Sequence, residues 1–111
     1  MDDRFPEAWV EERYNAMIDL SVAIAALDLG LAERLRVPCS FTTLVHDLGA
    51  SPRALAALLE SLRRLALVTD DSGWQLTERG EALLGAGRRG RGQLAQYGFN
   101  RTGWSRLADA V

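Results

Sequence analysis

The stretch 51–77, SPRALAALLESLRRLALVTDDSGWQLT, contains the clearest secondary-structure pattern of this chain. Ser51 can cap a helix whose first position is Pro52. A stripe of leucines runs along that helix: Leu55, Leu58, Leu59, Leu62 and Leu65. Two short strands, 67–69 and 74–76, then flank a polar loop that ends in Gly73, and Thr77 can cap the next helix. The stretch therefore predicts a helix, a β-hairpin and a second helix.

A shorter helix is predicted just before this stretch. Thr42 or Thr43 can cap it, and Gly49 stands where a left-handed residue favours the end of a helix. Residues 29–36 predict another short helix that ends ahead of Pro38. The order helix, turn, helix, hairpin, helix is typical of a winged helix-turn-helix domain. The predicted fold class is mainly α, a winged helix-turn-helix with an extra N-terminal helix and a short β-hairpin wing.

The extra helix spans residues 7–27 and has apolar side chains on more than one face. Its two stripes are Met17, Leu20, Ile24 and Leu27, and Ile18, Val22 and Ala25. A domain of this length has one modest core, which covers one stripe more readily than two. We therefore expect a second copy to cover the other stripe, although later helices of the same chain could cover both. The predicted dimer interface is Trp9, Met17, Ile18, Val22, Ile24 and Ala25.

Composition and charge narrow the function classes. The 111 residues are 48% apolar with a formal net charge of −2, which is typical of one globular domain. The single cysteine excludes a disulfide scaffold. The N-terminus is acidic and contains Pro6, unlike a secretory signal, and the apolar run 16–27 is too short to cross a bilayer. We expect a cytoplasmic protein that does not enter membranes.

Candidate chemical groups are few. His46 has no companion base, Cys39 has no second thiol, and no set of metal ligands is present, so we predict no catalytic, metal or cofactor site. A winged helix can read DNA, but Arg53 is the only suitable side chain at the leading end of the second helix. Asp70 and Asp71 at the wing tip would repel phosphates. We do not expect nucleic acid as a partner, and a DNA-binding transcriptional regulator stays as an alternative.

The C-terminal quarter suggests a loop followed by a helix. Glycine and arginine alternate over 85–92, which predicts a loop with a basic cluster of Arg88, Arg89 and Arg91. An amphipathic group typical of a pocket for a planar ligand follows: Tyr97, Phe99, Asn100 and Trp104. The apolar stripe of this last helix reaches Val111 with no stop signal, which favours a longer protein or a partner.

Several of these segments resemble one known domain. The run 26–31, the 42–49 helix, SPRAL at 51–55, LVT at 67–69, and Leu76-Thr77 with Gly80 and Leu83-Leu84 are similar to the N-terminal dimerisation domain of S-adenosylmethionine-dependent O-methyltransferases. The class is the plant-like one, also found in bacterial natural-product pathways. Residues 104–111 resemble the linker helix that leads into the catalytic domain of that family.

The resemblance implies a division of labour. Residues 1–36 would form dimerisation helices, 37–87 the winged helix-turn-helix, and 88–111 a loop and linker helix, all in one compact domain. It implies a homodimer that scaffolds a substrate pocket for a small aromatic or polyketide-like ligand, with a catalytic methyltransferase domain or subunit as further partner. S-adenosylmethionine would bind that parent enzyme, and we predict no methyl transfer by this chain alone. A stand-alone small-molecule-binding or repurposed biosynthetic protein is the second alternative.

Overall fold

The computed structural model describes residues 4–85 and 90–96. The described part of the chain is mainly helical and carries a two-stranded antiparallel sheet, which confirms that the fold is mainly α and contains the predicted hairpin. The elements in chain order are α1 (Phe5–Asp28), α2 (Leu31–Arg34), α3 (Phe41–Leu48), α4 (Pro52–Arg64), β1 (Val68–Thr69), β2 (Gln75–Leu76) and α5 (Glu78–Leu84). Residues 90–96 form a further helical segment.

Helix α1 is the longest element, with 24 residues and a length of about 36 Å at the usual rise per residue. Proline in the first turn is compatible with its start, because the first amides of a helix have no partner within it. Gly30 adopts a left-handed conformation (φ 70°) and turns the chain into α2. Only Ala23, Ile24 and Ala26 of α1 are buried. The core therefore holds the C-terminal end of α1 and leaves the rest outside.

Side-chain caps set the starts of α3 and α4. Ser40 Oγ accepts a hydrogen bond from the Thr43 backbone N at 3.1 Å, so α3 begins after Ser40 and not after Thr42 or Thr43 as the sequence predicted. Ser51 Oγ accepts from the Ala54 backbone N at 3.4 Å, as predicted. Gly49, also as predicted, ends α3 in a left-handed conformation (φ 59°). These two caps and the glycine fix the turn between the helices.

The end of α4 carries the one non-glycine residue with positive φ in the described part of the chain. Ala66 has φ 62°, and the amide of Leu67 donates to the Leu62 carbonyl at 3.0 Å, as in a Schellman motif. Thr77 Oγ1 donates to the Ala66 carbonyl at 2.7 Å and accepts from the Gly80 amide at 3.0 Å. One hydroxyl thus caps α5, as predicted, and also holds it against the end of α4.

The hairpin pairs Val68 with Leu76 and Thr69 with Gln75. The loop after α2 adds a pairing that the sequence did not predict: Cys39 and Trp74 exchange two backbone hydrogen bonds, of 2.9 and 2.8 Å. The Leu76 amide also donates to the Leu35 carbonyl at 2.8 Å. The half-buried Trp74 packs against the core, so the hairpin is held in place on its β2 side.

One apolar core joins the helices and the hairpin. Its fully buried larger side chains are Leu31, Leu35, Leu44, Leu55, Leu59, Leu62 and Leu84. Leu94, from the 90–96 segment, is buried against the same core. Residues 90–92 were predicted as part of a loop but are helical. The buried side chain of Leu94 holds this helical segment against the core, which the alternation of glycine and arginine did not indicate.

Candidate functional site

The most prominent surface feature is the exposed apolar side of α1. Seven of its large apolar side chains are exposed: Phe5, Trp9, Val10, Tyr14, Met17, Ile18 and Leu20. In a small globular domain such a concentration of apolar surface marks an interaction site. Outside α1, Leu29 and Val37 are the other large apolar residues exposed in the described part of the chain. We call the seven residues of α1 the α1 face.

Helical spacing divides the α1 face into two neighbouring stripes. Phe5, Trp9 and Leu20 lie on one stripe, together with the small Ala16. The other stripe is Val10, Tyr14, Met17 and Ile18. Two stripes of a single helix therefore remain uncovered by the chain's own core.

The first stripe continues into a groove between α1, α5 and the 90–96 segment. The groove has a volume of about 610 Å³. Its lining is mostly apolar: Ala16, Leu20, Ala23, Leu65, Leu67, Ala82, Leu83 and Leu94. The two charged residues at its edge are Asp19 from α1 and Arg79 from α5. Neither forms an ion pair within residues 4–85 and 90–96.

Charged side chains on α1 stand beside the aromatic ones. The guanidinium of Arg13 lies over the ring of Trp9, 4.9 Å from the ring centroid, in a cation–π contact. The same guanidinium lies 3.4 Å from Glu12 Oε2. Trp9 and Arg13 are one helical turn apart, so the contact carries the positive charge back towards the N-terminal end of the helix.

The predicted interface residues fall into three groups by exposure. Trp9, Met17 and Ile18 are exposed on α1, and Val22 and Ala25 are partly buried. Ile24 is only 4% exposed and belongs to the chain's own core, so its assignment to the interface needs correction. The last turns of α1 are enclosed by α2 and α4, which hydrophobic periodicity within α1 could not reveal.

Other parts of the α1 face were missing from the prediction. Phe5, Val10, Tyr14 and Leu20 are exposed but were not assigned to the interface. Their helical spacing relative to Trp9 and Met17 could have placed them on the same side of α1. The predicted pocket residues Tyr97, Phe99, Asn100 and Trp104 lie outside the described residues, as do Arg88 and Arg89.

One of the arginines on the exposed side of α4, Arg63, is paired with an acidic side chain of the same helix. Glu60 accepts from both Nε and Nη2 of Arg63, and this pairing raises the pKa of the Arg63 guanidinium and lowers the pKa of the Glu60 carboxyl. The nearby Asp70 adds to the rise for Arg63. Arg53 and Arg64 remain exposed. The expectation that this surface does not bind nucleic acid stays a prediction.

Groups with catalytic potential are scattered over the surface. His46 is exposed at the end of α3, with Nδ1 3.5 Å from Asp47 Oδ1, and Cys39 is partly buried beside the hairpin. Within the ranges 4–85 and 90–96, no three acidic, histidine or cysteine side chains come together as a metal site. None of the helices in these ranges is long and apolar enough to cross a membrane.

Comparison with known proteins supports the fold. No protein-family model and no curated protein matches the sequence. The chain is similar to the solved structure of an O-methyltransferase family protein from Burkholderia thailandensis, with a TM-score of 0.76 and 15% sequence identity. The alignment covers 98% of this chain and 33% of the other. At this identity the similarity shows a shared fold, and the chain spans about a third of the protein it matches.

Proposed function

We propose that the chain is the dimerisation and substrate-pocket scaffolding domain of an O-methyltransferase-like natural-product biosynthesis protein. In this proposal the helices and hairpin act as a winged helix-turn-helix that supports α1, and α1 pairs with a second copy. The observation that carries the proposal is the α1 face, whose seven large apolar side chains stand outside the core of their own chain. Its burial in a homodimer would remove this surface from water.

The similarity to the Burkholderia protein supports the remainder of the proposal. An O-methyltransferase family protein contains a region with this fold, and that region is about a third of its length. The proposed division of labour leaves methyl transfer and S-adenosylmethionine to a catalytic domain or subunit. The present chain would then contribute assembly and one wall of the pocket for a small aromatic or polyketide-like acceptor.

The proposal is tested by measuring mass in solution. The double substitution Met17→Asp/Ile18→Asp places two charges on the α1 face, where a dimer would have to bury them. We expect the unmodified chain to sediment as a dimer and the double variant as a folded monomer. Val37→Asp is the matched control, because Val37 is 67% exposed and lies outside α1. It should remain a dimer. A double variant that keeps the dimeric mass would overturn the proposed interface.

A further inference from the structure

We infer that the groove between α1, α5 and the 90–96 segment is the docking site for residues 97–111 of the same chain, with the apolar side chains of 104–111 against its walls. The occupant belongs to this chain, so the inference does not rest on the proposed dimer. It is carried by the apolar lining of the groove, the place of Leu94 in its wall, and the sequence pattern of 104–111.

The groove has apolar walls that face solvent. Leu20 is 40% exposed, and the small residues Ala16 and Ala82 are exposed as well. Covering a groove of about 610 Å³ would remove these side chains from water. The groove therefore favours an apolar occupant.

The segment 97–111 has side chains of matching chemistry. Its apolar residues recur at helical spacing: Trp104, Leu107, Ala108 and Val111. Arg101 precedes Trp104 by three residues and falls beside the same face of a helix. Asp19, at the edge of the groove, forms no ion pair within residues 4–85 and 90–96. An apolar face with a basic neighbour thus complements an apolar groove with an acidic edge.

Chain connectivity keeps this segment close to the groove. Leu94 lines the groove, and residues 95–103 separate it from Trp104. These nine residues extend to about 30 Å at most. A short tether gives an effective concentration of roughly millimolar, well above the micromolar range in which a separate copy would compete. The segment of the same chain is therefore the favoured occupant.

Docking of 97–111 would divide the surface of α1 between two partners. The side chains beside the groove, Ala16 and Leu20, would be covered by the chain itself. The second stripe of the α1 face would remain free for the second copy of the proposed dimer.

Thiol labelling tests the docking. Ala82→Cys in a Cys39→Ala background places one thiol in the groove wall, and Ala57→Cys in the same background places a reference thiol on the exposed side of α4. We expect a maleimide to label the groove thiol roughly tenfold more slowly than the reference thiol. Adding Leu107→Asp should remove this protection, because a carboxylate is costly on a docked apolar face. Ser105→Asp adds the same charge on the opposite side of the helical pattern and should keep the protection.

Three results would overturn the inference. A groove thiol that reacts as fast as the reference thiol would show that the groove is uncovered. Protection that survives Leu107→Asp, or that Ser105→Asp removes equally, would show that 104–111 is not the cover. Protection that disappears on dilution together with a dimeric mass would assign the groove to a second copy.

Two further measurements keep the test independent of folding and of the proposed function. Circular dichroism checks that each variant is folded, and Leu107→Ala, which only shortens the side chain, replaces Leu107→Asp if that variant unfolds. It should then raise the labelling rate of the groove thiol, and an unchanged rate would count against the docking. The mass of the unmodified chain in solution decides the proposed function separately, because 97–111 can occupy the groove in a monomer or in a dimer.

Discussion

Arg91 Nη1 donates a hydrogen bond to Glu33 Oε1 at 2.6 Å, so an ion pair joins the 90–96 segment to α2 across 58 residues of chain. The same nitrogen also lies 3.4 Å from the Leu84 carbonyl at the end of α5. Since Leu94 of this segment lines the groove, the ion pair positions one of the groove's walls. The sequence predicted Arg91 as part of a basic loop, but its side chain links the 90–96 segment to α2 and to the end of α5.

Removing the ion pair between Arg91 and Glu33 should produce a pH-dependent loss of stability. The hydrogen bond from Arg91 lowers the pKa of the Glu33 carboxyl below its ordinary value of 4.5. A lowered pKa means that the stabilisation is complete above 4.5 and disappears as the pH falls through the lower, folded-state pKa. Because both side chains are partly exposed, we expect Glu33→Gln to cost about 0.5–1 kcal/mol at neutral pH.

Urea unfolding across this pH range measures the effect. The gap between the unmodified chain and Glu33→Gln should close below pH 4.5. Asp71→Asn is the control, because Asp71 forms no ion pair within the described ranges and should show a smaller gap at neutral pH. A gap that persists unchanged in acid would show that the ion pair is not its cause.

Ile24 and Ile18 should respond differently to the same substitution, although both are on α1. Ile24→Asp puts an unpaired carboxylate into the core and should unfold the chain or lower its stability by several kcal/mol. Ile18→Asp should cost much less and leave the chain folded, because Ile18 is exposed and only contacts with a second copy would be lost. Circular dichroism on heating distinguishes the two. Equal destabilisation by both would contradict the placement of Ile24 in the core and Ile18 outside it.

Gly49 and Ala66 both have positive φ at the end of a helix. Exchanging glycine and alanine at these two positions should therefore change the free energy of unfolding in opposite directions. Ala66→Gly should stabilise the chain by about 0.5–1 kcal/mol, because glycine adopts positive φ without the steric cost that alanine bears. Gly49→Ala should cost a similar amount, since a Cβ there meets no atom within 4 Å and only the backbone is strained. Midpoints of urea unfolding provide the comparison. Stabilisation by Gly49→Ala would refute the assigned conformation.

Local signals in the sequence were sufficient for much of the fold. Ser51-Pro52 and Thr77 marked helix starts, and Gly49 marked a helix end, because each acts on backbone groups within three residues. Contacts between distant segments were not visible in this way. The pairing of Cys39 with Trp74 and the ion pair of Arg91 with Glu33 depend on the packed structure, so no local pattern announces them.

The candidate site, too, could be predicted from the sequence only in part. Periodicity predicted correctly that α1 has more apolar surface than its own core covers, since seven of its large apolar residues remain exposed. It could not show where along α1 the core ends. The stripe containing Ile24 changes from exposed at Met17 to buried at Ile24 within two turns, because α2 and α4 enclose only the last part of the helix.

Sedimentation equilibrium of the unmodified chain at neutral pH is the most direct test of whether α1 assembles two copies. We expect a mass of twice 12.2 kDa at micromolar concentration, with dissociation on dilution. A single mass of 12.2 kDa that persists into the hundreds of micromolar, from a chain that is folded by circular dichroism, would contradict it.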